Sequence, residues 1–221
     1  MQEKEKYDPA VIEAMMKVPR HFFLDPIFVQ QAYSDIAFQI GAGQTISQPS
    51  TVAYQSTLLE VKKGDKVLEV GTGSGYQTCV LLALGAKVFT IERQQELFDK
   101  TSDFLPKIGY SAKFYYGDGY KGLPTYGPFD KIIVTCGAPF IPPALLTQLK
   151  PGGSMIVPVG DGKVQMMTRI VRKATDSTLP DRRSIYSRPT AEIDSFRHED
   201  IEFTREILKS CSFVPMLADK A

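Results

Sequence analysis

Metal-binding side chains are scarce in this chain. It holds two histidines, His21 and His198, and three cysteines, Cys79, Cys136 and Cys211, with no spacing that suits metal ligands. A catalytic zinc site is therefore not expected. The cysteines are odd in number and far apart, so they read as reduced thiols of a cytoplasmic protein and not as a disulfide framework. No apolar run approaches the ~18 residues needed to cross a bilayer. The opening MQEKEKYDPA is too charged for a secretory signal, so export is not expected. Excess charge of one sign is missing too. A formal net charge of +1 gives no reason to expect nucleic acid or an anionic membrane as partner. Repeats and low-complexity segments are absent. What is present is ordinary for a globular protein: 43% hydrophobic and 23% charged residues in a 221-residue chain, enough for one well-cored domain.

Within that domain we expect a helical part over residues 1–60, a core over 61–173 and a polar C-terminal region over 174–221. Asp8-Pro9 suits a helix start, with Asp as cap and Pro at the first helical position. Val11, Ile12, Met15 and Met16 then recur at helical spacing as a core-facing stripe, and Phe22, Phe23 and Leu24 are expected to anchor it. From Lys66 the pattern changes. KVLEV (66–70), KVFTIE (87–92), AKFYY (112–116), FDKIIVTC (129–136), SMIVPVG (154–160) and VQMMTRIVRK (164–173) read as strands. Helical runs over 76–84, 94–109 and 142–149 separate them. That alternation predicts a doubly wound α/β fold, a mostly parallel sheet with helices on both faces. Residues 174–210 are polar and proline-punctuated, which predicts a surface loop followed by a short helix over HEDIEFTREILKS. SFVPML (212–217) suits an antiparallel C-terminal strand, and Pro215 confines it to an edge or a strand end.

VLEVGTGSGY (67–76) places Gly71, Gly73 and Gly75 directly after the first core strand, where glycine lets the backbone turn tightly beside a ligand. The spacing is G-x-G-x-G with Tyr76 next, not the G-x-G-x-x-G of dinucleotide sites, which argues against NAD. Glu92 ends the second core strand, where an acid can accept hydrogen bonds from both ribose hydroxyls. GDG ends the third, placing Asp118 and Gly119 at the same edge. Each acid alone would pass for a solvated or turn residue. Three consecutive strands delivering a glycine loop, Glu and Asp to one crevice suit an adenosine without phosphates. S-adenosylmethionine, with its positive sulfonium, fits.

VLEVGTGSGY, TIER, GDG and LKPGG resemble successive motifs of the Rossmann-like class I S-adenosylmethionine methyltransferases. TISQP (45–49), VLEVGTGSGYQT, FDKIIVTCGAP and VPVG together resemble the protein-L-isoaspartate O-methyltransferase family. The similarity runs from about Val18 to Arg172 and resumes at FVPML (213–217). Four features depart from that family: Phe38-Gln39 in IAFQIG, Cys136 where Ala is common, Ser50 after the TISQP proline, and a longer linker to FVPML. The resemblance implies that Thr45, Ile46, Glu69, Gly71, Thr72, Gly73, Glu92, Asp118 and Gly119 hold the cofactor. It further implies Ser47 as the active-site serine, Gln48 at the substrate, and Val214 against the backbone of the peptide.

TISQPS itself offers hydroxyls, an amide and a proline, but no acid, base or metal ligand. The resemblance accounts for that. Its implied substrates are isoaspartyl-containing proteins and peptides, whose exposed α-carboxylate, with a pKa near 4, is already ionised at neutral pH. No general base is then needed. Methylation would be followed by loss of methanol to a succinimide, which reopens in part to aspartate. TISQPS becomes a positioning device, with Ser50 also a plausible helix cap. A monomer is expected. Two rivals stay open: a methyltransferase of the same fold acting on a small molecule, and a cofactor-binding module without catalysis.

Overall fold

Asp8 caps the first helix as its side chain predicts. Its Oδ1 accepts the Ala10 N–H at 2.8 Å, and Pro9 occupies the first position of α1 (Pro9–Lys17). The buried face is narrower than the expected stripe. Val11 and Ala14 are buried and Met15 partly so, whereas Ile12 and Met16 are 38% and 83% exposed. At 3.6 residues per turn the 11–14–18 row and the 12–16 row cannot both face the core. Phe23 anchors the helix through edge contacts with Tyr76 and Phe104, but neighbouring Phe22 stays exposed. The computed structural model describes residues 7–174 and 192–217.

Two short antiparallel strands follow, β1 (Phe38–Gly41) and β2 (Gln44–Ile46), with Phe38 opposite Ile46 and Gln39 opposite Thr45. They lead into α2 (Pro49–Leu59). The main sheet begins with β3 (Lys66–Val70), β4 (Lys87–Glu92), β5 (Lys113–Tyr116), β6 (Phe129–Val134) and β7 (Leu149–Val159). These five pair in parallel in the order β5-β4-β3-β6-β7. The helices α3 (Tyr76–Ala83), α4 (Gln95–Lys107) and α5 (Pro143–Thr147) connect them. Successive residues point to opposite faces. Leu68, Ile132, Met155 and Val157 pack with Leu145 and Leu146 of α5, while Val67, Ile133 and Ile156 pack with Leu58 and Leu59 of α2 and Leu81 of α3. Both faces are therefore dry, which is why the strands read as continuous apolar runs.

The chain winds outward from β3 to β5, then returns to β6 on the other side of β3. That reversal opens a crevice beyond the carboxyl ends of β3 and β6. Register keeps the ends level, with Val70 opposite both Ile91 and Val134.

The C-terminal third differs from expectation. β8 (Gln165–Arg172) runs antiparallel to β7, and the predicted helix over 198–210 is instead a strand. β9 (Glu192–His198) and β10 (Ile201–Cys211) form an antiparallel hairpin, and β10 pairs with β8. The EFTREIL segment has good helix formers, but β8 presents an open edge, and pairing with it wins over propensity. Phe203 is fully buried and stacks on Phe196 at 5.3 Å between ring centroids. Of the loop expected over 174–195, residues 175–191 lie outside the described residues, and 192–195 belong to β9 instead. SFVPML is not a full strand. It makes one parallel bridge, Pro215 to Gly137, with the Gly137 N–H donating to Val214 O at 2.8 Å and the Met216 N–H to Gly137 O at 2.7 Å.

If Phe203 fastens the hairpin to the core, Phe203→Ala should cost about 3–5 kcal/mol of stability in urea unfolding. A loss well below that would show that the hairpin folds independently of the main sheet.

Candidate active site

The crevice is built on a sharp turn. After Val70 the chain leaves β3 through Gly71 at φ 98°, a conformation open to glycine, and a Cβ there would stand 2.5 Å from Thr135 Oγ1. Thr135 uses that closeness, donating to Gly71 O at 2.6 Å and so tying the loop to the end of β6. At the third strand the constraint is a close approach. A Cβ on Gly119 would meet Val70 Cγ1 at 2.4 Å, so the segment after β5 can lie against β3 because residue 119 has no side chain.

Glu92 joins these parts. It is 6% exposed at the end of β4. Its Oε2 accepts the Gly73 N–H at 2.8 Å, and its Oε1 accepts the N–H groups of Arg93 and Gln94 at 2.9 Å each. A carboxylate offers about four lone-pair sites, so roughly one remains for a ligand. Two ribose hydroxyls would have to share it. The acid thus holds the loop first and has capacity left for a sugar second.

Glu69 is placed differently from expectation. It is fully buried beneath the loop and does not line the cleft. Its Oε2 accepts the Thr78 hydroxyl at 2.5 Å, while Oε1 has no hydrogen-bond partner. Burial pushes its carboxyl up to about 8; the Thr78 and Thr90 hydroxyls pull the other way and the charge of Glu92 adds to the rise. Thr90 in turn bonds Thr72 of the glycine loop, at 2.6 Å between oxygens. Glu69 therefore supports the loop from below.

The opposite wall comes from β2 and the start of α2. Thr45, Ile46 and Ser47 face the cleft, and the Ser47 hydroxyl is bonded to none of the described residues. Gln48 precedes Pro49 as the capping residue of α2, outside the cleft lining, and its amide donates to Ser50 Oγ at 3.1 Å. Ser50 is not the cap. It is the second helical residue, and its own N–H donates to Asp35 Oδ1 at 2.8 Å. Val214, Pro215, Met216 and Leu217 close the mouth. The space between these walls is about 850 Å³, open solvent at the mouth included, and its charged lining residues among the described residues are Glu92 and Arg93.

The sequence-predicted residues thus divide. Thr45, Ile46, Ser47, Gly71, Thr72, Gly73, Glu92, Gly119 and Val214 converge on one cleft, whereas Glu69, Gln48 and Asp118 do not line it. Asp118 Oδ1 instead accepts the Tyr120 N–H at 2.9 Å, the behaviour of an Asp in a tight turn. Lining residues not anticipated include Gln55, Gln77 and Thr135. Thr135 could have been found from its place at the end of β6 and Gln77 from its place in the VLEVGTGSGYQT motif; Gln55 is an interior helix position with no sequence signal. Cys136 also lines the cleft, with its thiol pushed up to about 12 by burial and the charge of Glu92, so it stays protonated and is no base.

The residues fit a nucleoside cofactor with a cationic, phosphate-free tail. Glu92 has a lone pair to offer a ribose, and among the described residues no cluster of cations lines the cleft. A doubly wound sheet with this loop and acid at its switch point defines a class I S-adenosylmethionine-dependent methyltransferase, and S-adenosylmethionine is its cofactor.

Comparison with known proteins narrows the class. The family model described as protein-L-isoaspartate(D-aspartate) O-methyltransferase matches residues 1–186. The chain is 52% identical to the protein-L-isoaspartate O-methyltransferase of Flavobacterium psychrophilum over 221 residues, covering all of this chain and 92% of that protein. A solved protein-L-isoaspartate O-methyltransferase superposes with a TM-score of 0.69 at 30% identity over 76% of this chain, which spans 56% of that longer chain. A Plasmodium falciparum protein in complex with S-adenosyl-L-homocysteine has a TM-score of 0.72 at 22% identity, covering 96% of this chain and 92% of that one, a likeness of fold. The chain belongs to the protein-L-isoaspartate O-methyltransferase family.

Glu69 yields a pH signature. An unfolded chain releases this proton near the ordinary 4.5, whereas the folded protein keeps it until about 8. Between those values the folded state binds the extra proton, so stability falls as pH rises, by at most about 1.4 kcal/mol per pH unit. Glu69→Gln should remove that part of the slope and be more stable than wild type at pH 8 in urea unfolding. Parallel pH profiles for the two proteins would mean Glu69 is ionised in the fold.

Proposed function

We propose that the chain methylates the free α-carboxylate of L-isoaspartyl residues in proteins and peptides, with Ser47 orienting the carboxylate and Glu92 holding the cofactor. The observation that carries this is Ser47, its hydroxyl bonded to none of the described residues, in a cleft whose ionisable lining groups among those residues are Glu92, Arg93, the high-pKa Cys136 thiol and Tyr76, whose phenol burial pushes up. Such a cleft lacks a base that could deprotonate a weak nucleophile. It suits a nucleophile that arrives ionised, and a carboxylate does.

The bound cofactor supplies a methyl group on a sulfonium. As the carboxylate oxygen forms its bond to that carbon, the carbon–sulfur bond breaks and its electron pair stays on sulfur. Opposite charges vanish in this step. Bulk water stabilises the charged reactants more than the transition state, so a cleft walled by Ile46, Val52, Val70 and Met216 favours transfer by excluding it. The Ser47 hydroxyl donates to the carboxylate and holds one oxygen in line, an orientational effect. No proton has to move. The neighbouring backbone nitrogen then attacks the ester carbonyl carbon, the bond to the methoxy group breaks and methanol leaves with the amide proton, giving the succinimide.

A peptide substrate, which the family implies, would meet side chains at this mouth. Val214 and Leu217 form a rim, and Leu217 is 41% exposed. The carbonyl of Val214 is engaged by Gly137, so the rim presents side chains more than free backbone. A monomer in the cytoplasm completes the reading. In support, Cys79, Cys136 and Cys211 are free thiols, and no described helix is long and apolar enough to cross a membrane.

Matched peptides test the reaction. An isoaspartyl peptide should be methylated and its aspartyl counterpart should not; equal methylation of both, or of neither, would overturn the proposal. A second measurement separates the residues. Ser47→Ala should lower kcat by about a hundredfold with cofactor affinity near wild type. Glu92→Ala should weaken cofactor binding in calorimetry by about 1.5–3 kcal/mol. A Ser47→Ala enzyme with full turnover, or a Glu92→Ala protein with unchanged affinity, would reject that role.

A further inference from the structure

Arg20 is 1% exposed, the most deeply buried cation among the described residues. A buried charge is costly unless it is bonded and paired. Its Nε donates to Ala32 O at 2.9 Å, and its Nη2 reaches Ile36 O at 3.5 Å. The guanidinium carbon also lies 4.9 Å from the centroid of the Tyr76 ring. Burial draws the guanidinium below its ordinary pKa, and Tyr76 and the Asp35 carboxylate act in the opposite direction. Arg20 thus joins two pieces of the cleft. Tyr76 opens α3 directly after the glycine loop and lines the cleft. Residues 32–36 lead into the β1–β2 unit that carries Ser47.

Asp35 extends the connection. Its Oδ1 accepts the Ser50 N–H at 2.8 Å, across fifteen residues of chain. A helix start leaves its first N–H groups without partners inside the helix. In α2, Pro49 has no N–H to offer and Gln48 supplies no side-chain cap. The N–H groups of Thr51 and Val52 reach back to Gln48 O at 3.1 and 3.2 Å, whereas that of Ser50 is met from outside the helix. A carboxylate is also favoured there by the helix dipole. Apolar packing helps hold this wall, with the Phe28 and Phe38 ring centroids 5.0 Å apart. Such packing is non-directional and leaves the helix start free to turn. The Asp35–Ser50 bond removes that freedom.

We infer that Arg20 and Asp35 form a brace that sets where Ser47 stands relative to the glycine loop, Arg20 clamping residues 32–36 beside Tyr76 and Asp35 fixing the start of α2. The inference rests on the reading of Ser47 given above. Neither Arg20 nor Asp35 lines the cleft, so both are positioning residues. Ser47 stands two residues before α2, and a shift of that helix start moves its hydroxyl. In-line transfer tolerates little error, since a misplacement of about 1 Å can cost roughly a hundredfold in rate.

The test is methylation of an isoaspartyl peptide by Asp35→Ala, Asp35→Asn, Ser47→Ala and the double variant Asp35→Ala with Ser47→Ala, alongside calorimetry with S-adenosylhomocysteine. Asp35→Ala should lower kcat by about tenfold or more, with S-adenosylhomocysteine affinity near wild type. Asp35→Asn keeps an acceptor for the Ser50 N–H and should recover most of the lost kcat. In the Ser47→Ala background, removing Asp35 should cost nothing further, because a residue that acts through a hydroxyl has no effect once the hydroxyl is gone. Thermal unfolding reports on folding; if Asp35→Ala does not fold, Asp35→Ser, whose oxygen is too short to reach Ser50, takes its place. Wild-type kcat in Asp35→Ala would overturn the inference. So would a matching loss of kcat and of S-adenosylhomocysteine affinity, a failure of Asp35→Asn to recover kcat, or additive losses in the double variant. If Ser47→Ala keeps full turnover, the reading of Ser47 fails and this inference falls with it; if Ser47→Ala is slow and Asp35→Ala is not, only this inference fails.

Discussion

Three backbone N–H groups converge on the Glu92 carboxylate, and the geometry of the cleft depends on that convergence. One donor comes from the glycine loop after β3 and two from the turn after β4, so a single side chain sets the distance between neighbouring strand ends. Hydrogen bonds to a charged acceptor are shorter and stronger than neutral ones. With the acid so held, the loop cannot drift from the end of β4. Thr135 performs the matching task on the other side, donating to Val70 O and Gly71 O and binding the loop to β6. The loop is therefore fixed from both flanking strands before any ligand arrives, and preorganisation of this kind lowers the cost of binding.

Beneath that frame lies a second carboxyl with the opposite character. Glu69 occupies the strand position just before Val70, on a strand buried from Val67 onward, where an ion would lack solvation. Kept neutral, it accepts the Thr78 hydroxyl and sits beside Thr90, which bonds Thr72 in the loop. The two acids, one strand apart, divide the work by environment. Glu92 lines the cleft and is met by three donors. Glu69 faces α3 and is protonated by its surroundings. A like charge beside Glu92 would cost more still, which gives neutrality at Glu69 a second reason.

The cleft wall away from the sheet is assembled from distant pieces of chain. Ser47 arrives on the β1–β2 unit, whose buried Phe38 and Ile46 pack in the same cluster as Val18 and Phe23. Val214 arrives from the far end, positioned by the bonds of Gly137 to residues 214 and 216 and by Gln165, whose Oε1 accepts the Phe213 N–H at 2.8 Å. Phe213 packs inward against the α2 side of the core while Val214 faces the cleft, the alternation of an extended chain. The hairpin of β9 and β10 delivers that segment to the mouth.

Local chemistry in the sequence was enough for much of this. The Asp8-Pro9 cap, the five parallel strands, the glycine turn and the acid ending β4 were all legible, because each is set by period, by backbone freedom or by one residue's place on its own strand. Position in space was not. VLEV placed Glu69 near a glycine loop, but only the burial of both sheet faces decided that it lies under the cleft. GDG placed Asp118 at the right edge, and the turn it makes took its oxygen inward. EFTREIL carried helix formers, and the unpaired edge of β8, a partner far off in sequence, made it a strand. Gln55 had no signal at all, since an amide inside a helix acquires meaning from what packs opposite. A sequence determines which conformations each segment can adopt; which side chains then meet is decided by tertiary packing, because such contacts join residues that no local pattern relates.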